Sequence, residues 1–218
     1  MMETSLRPAN SRRTLMLGLL AVGSLPLLQG CFPVVAGGAV AGAAIATDRR
    51  TSGAYVEDQG IEWKASSRLK ERFGDAIHIN VTSYNRNVLL TGEVPNDSVR
   101  AEIERIAAGV ENVRGIINEA VVAGNSSLTA RGNDTLITSN VKARFVDSQR
   151  FSANHVKVVT EANVVFLLGL VTRAEADAAS EIARTSQGVR KVVRVFEYIS
   201  DDEARRIDRG LRSDTESR

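Results

Sequence analysis

Residues 79–94, INVTSYNRNVLLTGEV, return 77 positions later as residues 156–171, VKVVTEANVVFLLGLV. In the first copy Ile79 and Val81 alternate with polar residues before a short turn around Asn85-Arg86-Asn87, and Val88 and Leu90 alternate after it. A period of two marks strands, and so short a connection makes them an antiparallel hairpin. Gly92 and Gly169 stand at equivalent places inside the strand pattern, where a missing side chain signals a bulge or a close backbone approach. The correspondence extends in both directions. Downstream, Ile106-Ala107 pairs with Ile182-Ala183 and Asn112-Val113 with Gly188-Val189, now 76 apart, one loop residue having been lost. Upstream, Ile61, Ala65 and Leu69 pair with Ile137, Val141 and Phe145 at the same spacing. Three blocks in one order mark an internal duplication.

Each copy reads helix, strand, strand, helix, strand. Ile137, Val141 and Phe145 recur every fourth residue, the period of an amphipathic helix, with Asn133 and Asp134 as candidate caps. Thr172-x-x-Glu175 forms a capping box for the second helix of the second copy, and Asn112 and Gly188 are suited to left-handed helix ends. The final strand spans 113–122 in one copy and 189–199 in the other. The fold class is therefore α+β, two tandem small α/β sandwiches, each a three-stranded sheet covered by two helices. Expected boundaries are 58–123 and 133–199. A tail, 200–218, is rich in charges of both signs and interrupted by Gly210, and is expected to be disordered.

The N-terminus reads as a leader over 1–30. Arg7, Arg12 and Arg13 precede an apolar stretch from Leu15 to Leu28, too short to span a bilayer, which takes about 20 helical residues. It ends in Leu28-Gln29-Gly30-Cys31, which resembles the lipobox of bacterial lipoproteins, and this makes Cys31 the lipid attachment site. Phe32 stands where that family's inner-membrane retention signal has Asp, so the outer membrane is implied, with the body facing the periplasm. Residues 31–57 form an Ala/Gly-rich linker, whose apolar run Pro33–Thr47 is either a tether or a membrane-embedded segment.

The LxGxV strand end, the Ala-rich helix after it and the closing GV-x-x-V strand are similar to the BON domain. A lipobox followed by two such units resembles the dual-BON outer-membrane lipoproteins of Proteobacteria. That resemblance implies a non-enzymatic protein that maintains outer-membrane integrity and binds anionic phospholipid through its second unit. The alternative is an adaptor or chaperone-like protein that contacts an envelope protein such as the outer-membrane assembly machinery. Oligomeric state is left open.

Composition removes most other classes. One cysteine and two histidines among 218 residues exclude a disulfide framework and a Cys-rich zinc site. No catalytic set, cofactor motif or metal site is expected, because His78 and His155 occupy one duplicated position, read as a surface position. Arg190, Lys191 and Arg194 are not interleaved with aromatics, so nucleic-acid binding is not expected. Removal of Arg7, Arg12, Arg13 and Glu3 with the leader leaves 25 basic and 25 acidic residues from the original 28 and 26. Any affinity for anionic lipid must then be local.

Candidate surfaces follow from helical periodicity. Leu136 and Ala143 face away from the core stripe of Ile137, Val141 and Phe145, with Lys142 and Arg144 on the flanks. An exposed leucine near a helix N-terminus, between cations and free amides, is suited to a phospholipid surface. Trp63 also falls off its core stripe and is expected at an interface, with the neighbouring unit, a partner or the membrane, the first being the simplest. In the second copy Val159, Phe166 and Leu168 make the alternate strand face apolar, where the first copy has Thr82, Leu89 and Thr91. A face of that kind requires cover, from the first unit or its linker, or from a protein partner.

Overall fold

The computed structural model describes residues 48–216. The leader, Cys31 and the Pro33–Thr47 run lie outside the described residues. Two copies of one unit follow in order. The first comprises α1 (Ser52–Phe73), β1 (His78–Tyr84), β2 (Asn87–Val94), α2 (Asp97–Ala108), β3 (Gly115–Asn118) and β4 (Val121–Val122). The second comprises α3 (Leu128–Ser148), a short 3-10 turn, β5 (Lys157–Glu161), β6 (Val164–Val171), α4 (Arg173–Arg184) and β7 (Lys191–Tyr198), and α5 (Asp201–Glu216) closes the chain.

The hairpin is the organising element of each copy. β1 and β2 pair antiparallel through Tyr84↔Asn87, and β5 and β6 through Glu161↔Val164. Both two-residue connections have positive φ at their central pair, 49° and 66° at Asn85-Arg86 and 48° and 64° at Ala162-Asn163. This is the mirror-image turn whose twist matches that of the flanking strands. β3 and β7 then join the central strand in parallel, which requires the crossover helices α2 and α4. The repeat-one strand is interrupted: the Asn118 side chain accepts a bond from the Ala120 N–H and donates to the Arg100 carbonyl, diverting the chain before β4.

Close approach explains the duplicated glycines. A Cβ on Gly92, whose φ is +119°, would lie 2.0 Å from the His78 carbonyl oxygen, and one on Gly169 2.4 Å from that of His155. Both distances are far inside van der Waals contact.

Four expectations need correction. α1 starts at Ser52, capped by Thr51, and Asp48–Arg50 are buried, so the linker ends well before residue 57. α3 starts at Leu128, capped by Ser127; Asn133 and Asp134 are interior, and Asp134 is buried. α2 and α4 end at Ala108 and Arg184, several residues before Asn112 and Gly188, whose positive φ belongs instead to the turns leading into the last strands. The tail is helical where disorder was expected. Asp201, Asp202 and Glu203 match its N-terminal dipole, and Ala204, Ile207 and Asp208 turn inward while Arg205, Arg206 and Arg209 face water.

Two cores sit between helices and sheets, one around Ile61, Leu69, Leu90 and Ile103, the other around Val141, Phe145, Leu167 and Ala179. A third lies between the sheets. Phe166 and Leu168 pack with Tyr84 and Leu89, and Val159, Ile117 and Val195 border them. The two sheets therefore meet on the faces that carry no helices. Around this apolar centre, Lys157 pairs with Glu62 at 2.8 Å, and the amides of Asn85 and Asn87 donate to Glu197.

Candidate functional site

Starting α3 at Leu128 gives it a long outer face. Leu128, Leu136 and Val146 are 83%, 70% and 64% exposed. At about 100° per residue Leu128 and Val146 share one direction, with Ser139, Gly132, Ala143 and Leu136 all within about 80° of it. Apolar and small side chains thus form a strip about 27 Å long, at 1.5 Å per residue. Arg131 and Lys142 run along one edge, and Asp147 stands at the far end of the other.

Two sequence expectations about this helix change. Leu136 sits two turns inside it, so the free N-terminal amides lie at Leu128 rather than beside Leu136. Arg144 is committed elsewhere: Nη1 donates to the Ile182 carbonyl at 2.9 Å and to Ser186 Oγ at 2.7 Å, and Nη2 to Thr185 Oγ1. It satisfies the carbonyl end of α4 and complements that helix's dipole. Leu136, Lys142 and Ala143 remain exposed. Caps read at Asn133 and Asp134 leave Leu128 outside the helix, and the stripe Ile137, Val141 and Phe145 stops one residue before Val146.

On α1, Trp63 and Val56 are each 68% exposed and lie two turns apart on one face. The neighbouring unit does not cover Trp63, so the simplest of its three expected occupants is removed. His78 and His155, read as surface positions, are largely enclosed, with side chains 18% and 9% exposed.

Asp48-Arg49-Arg50, which in sequence looks like the polar edge of a linker, is the most densely bonded segment described. The Arg49 side chain is 2% exposed. It forms two bonds to the Glu175 carboxylate, at 2.7 and 2.9 Å, two to Asp208, at 2.9 Å each, and one to the Leu170 carbonyl. All five guanidinium N–H groups are thereby used. Burial alone would raise the Glu175 carboxyl, but the nearby His155, the Arg49 fork and the Thr172 N–H hold it well below the usual range. The Arg49 bond chiefly lowers Asp208 as well. Glu175 also completes the capping box with Thr172, so one carboxylate starts α4 and receives the incoming chain.

Arg50 turns the other way. It bonds Asp48 and, at 2.7 Å, Asp58, and lies 4.2 Å from the centre of the Tyr84 ring. Asp58 is fully buried and accepts the Asn85 and Arg86 N–H groups and the Ser83 hydroxyl. In the second copy Asp134 accepts the Ala162 and Asn163 N–H groups, each at 2.9 Å. A carboxylate from the first helix thus pins each hairpin turn. Asp58 and Asp134 stand 76 apart, the spacing of their helix cores, which is the signal that could have found them.

The BON domain family model matches residues 58–124 and 133–200. The chain belongs to the BON family. Outer membrane lipoprotein DolP of Haemophilus influenzae is 37% identical over 182 residues, covering 83% of this chain and 94% of that protein. The 21 kDa hemolysin of Actinobacillus pleuropneumoniae is 35% identical, covering 70% of this chain and 79% of its own length. Osmotically-inducible protein Y of Escherichia coli is 30% identical with shares of 70% and 78%. Among the described residues no helix is long and apolar enough to cross a membrane.

Proposed function

We propose that this BON protein is a lipid-anchored, non-enzymatic component of the outer membrane that lies on the phospholipid surface through α3 of its second domain and helps maintain membrane integrity. The strip from Leu128 to Val146 carries this reading. Burying an exposed leucine or valine contributes about 1.5–3 kcal/mol, so three such side chains supply useful affinity without net charge, and Arg131 and Lys142 meet phosphates at the edge. The lipobox at Cys31 and the likeness to an outer membrane lipoprotein support the location. Residues 31–47 reach at most about 60 Å when extended, enough for α3 to touch the membrane that holds the acyl chains. The chain carried by that anchor enters the body at Arg49 and Arg50, which hold both domains.

Co-sedimentation tests the reading. Residues 48–218, without the lipid, are expected to bind vesicles containing anionic phospholipid and to bind zwitterionic vesicles less. Leu128→Asp and Leu136→Asp are each expected to reduce binding severalfold, and unchanged binding by both would overturn it.

Trp63 and Val56 favour a second reading, an adaptor that holds an envelope protein such as the outer-membrane assembly machinery. Crosslinking in cells that is lost with Trp63→Ala, while vesicle binding persists, would support it.

A further inference from the structure

At one end of the contact between the two BON sheets, three potential ligands converge from different domains. His78 on β1 and Glu93 on β2 are register partners, with Nδ1 2.9 Å from Oε2. Glu161 arrives from the end of β5. One nitrogen or oxygen from each of the three lies within 4.8 Å of the others. The carboxylates are enclosed, Glu93 4% and Glu161 7% exposed.

The charges do not balance. Among the described residues, no lysine or arginine lies within 4.0 Å of either carboxylate, and the one neighbouring cation is available only if His78 is protonated. Two enclosed carboxylates thus face a single imidazole, an arrangement that a bound cation would stabilise. Thr91 adds an independent observation. It precedes Glu93 by two residues, on the same strand face, and pairs in register with Asn80. It is 1% exposed, and its hydroxyl has no hydrogen-bond partner. The surroundings resemble an outer shell: the Asn80 amide donates to Glu161 Oε2 at 2.6 Å, and the Ser126 N–H to Glu93 Oε2 at 3.2 Å. Each carboxylate is thus oriented through one oxygen and retains a second.

We infer that His78, Glu93 and Glu161 form a divalent metal site, of the zinc class, that joins the two BON domains. One imidazole and two carboxylates suit zinc, whose ligand distances of about 2.0–2.2 Å put neighbouring donor atoms about 3.4 Å apart. Drawing the three groups together from the observed separations takes side-chain adjustments of an ångström or so. Zinc matches both carboxylates, takes the imidazole in its neutral form, and leaves a fourth position for water. The ion would fasten the β1–β2 hairpin to β5, opposite in role to a catalytic centre: it holds a joint. This site does not depend on the lipid surface of α3.

The experiment uses the full chain, untagged and in detergent, loaded with Zn²⁺, passed through gel filtration and analysed for metal by atomic emission. About one zinc per chain is expected to be retained, with a melting temperature that rises on zinc addition and falls with chelator. Glu161→Gln, which keeps shape and removes charge, and His78→Gln are each expected to weaken zinc binding at least tenfold. His155→Gln, at the duplicated position, where the neighbouring Glu175 and Asp208 carboxylates are already bonded to Arg49, is expected to retain zinc like the unmodified chain. No retention by the unmodified chain, or equal retention by a folded Glu161→Gln protein, overturns the site. Should His78→Gln fail to fold, the Glu161→Gln result decides.

Discussion

Arg49 and Arg50 are consecutive in the chain but hold different BON domains. Arg49 closes on Glu175 and Asp208, at the start of α4 and inside α5, while Arg50 closes on Asp58 in α1. The start of the described body is therefore a double clamp, with both guanidinium groups nearly sealed from water.

Arg49→Ala should be among the most destabilising changes to a charged residue. It leaves the Glu175 and Asp208 carboxylates with His155 as their remaining basic neighbour, and breaking a largely buried pair costs up to about 3–5 kcal/mol. Arg49→Lys should recover only part, since a single ammonium cannot reproduce two bidentate contacts. Urea denaturation compared across the three proteins checks the order.

Acid should undo the same clamp. Glu175 and Asp208 are both held below their ordinary values in the folded state. Groups of that kind stabilise fully above their unfolded pKa values, about 4.3 and 3.9, and that stabilisation is lost as pH falls through the lower folded values. Folding stability measured at pH 6 and at pH 3 should fall more steeply in the natural chain than in Arg49→Ala. Parallel slopes would show that the clamp does not control the acid response.

Asp134→Asn should loosen the second hairpin by about 1–3 kcal/mol, because one amide oxygen replaces a carboxylate that accepts two backbone N–H groups. Asp58→Asn should cost more, its carboxylate serving Arg50 and Ser83 as well. Hydrogen exchange at Ala162 and Asn163 reports the first change, and at Asn85 and Arg86 the second.

Gly92→Ala and Gly169→Ala should each cost more than about 3 kcal/mol, since the new methyl collides with a carbonyl oxygen that belongs to the strand pairing itself. Gly132→Ala is the control. It has open space on α3, favours the helix, and should leave the melting temperature unchanged or slightly higher.

How much of this could be read from sequence depends on whether the signal was repeated or local. The hairpins, both core stripes, the capping box at Thr172 and the glycine constraint were legible, because each shows a period, a motif or a second copy. The extent of α3 was not. Asn133 and Asp134 imitate caps, and only tertiary contact reveals that Asp134 faces a turn 28 residues away. Arg49 could not be interpreted at all, since its partners lie 126 and 159 residues downstream. The same holds for α5, whose helix is supported by an inward-facing Asp208 that composition counts only as another charge. Of the candidate site, Leu136 and Lys142 followed from a helical wheel. Leu128 and Val146 depend on the true helix ends, and the commitment of Arg144 is invisible in sequence because its partners lie 38 to 42 residues away at the end of α4.

The contact between the sheets is built from unlike halves. The second domain contributes Phe166 and Leu168, and the first contributes Tyr84 and Leu89 beside Thr82, Thr91 and Glu93. Two copies of the first domain would place polar strands against each other, and two copies of the second would stack grease on grease and leave Lys157 and Glu197 without the Glu62, Asn85 and Asn87 partners they have here. The duplicated halves have therefore ceased to be interchangeable. A chain with either BON domain written twice would keep the fold in both halves and still lack this central joint.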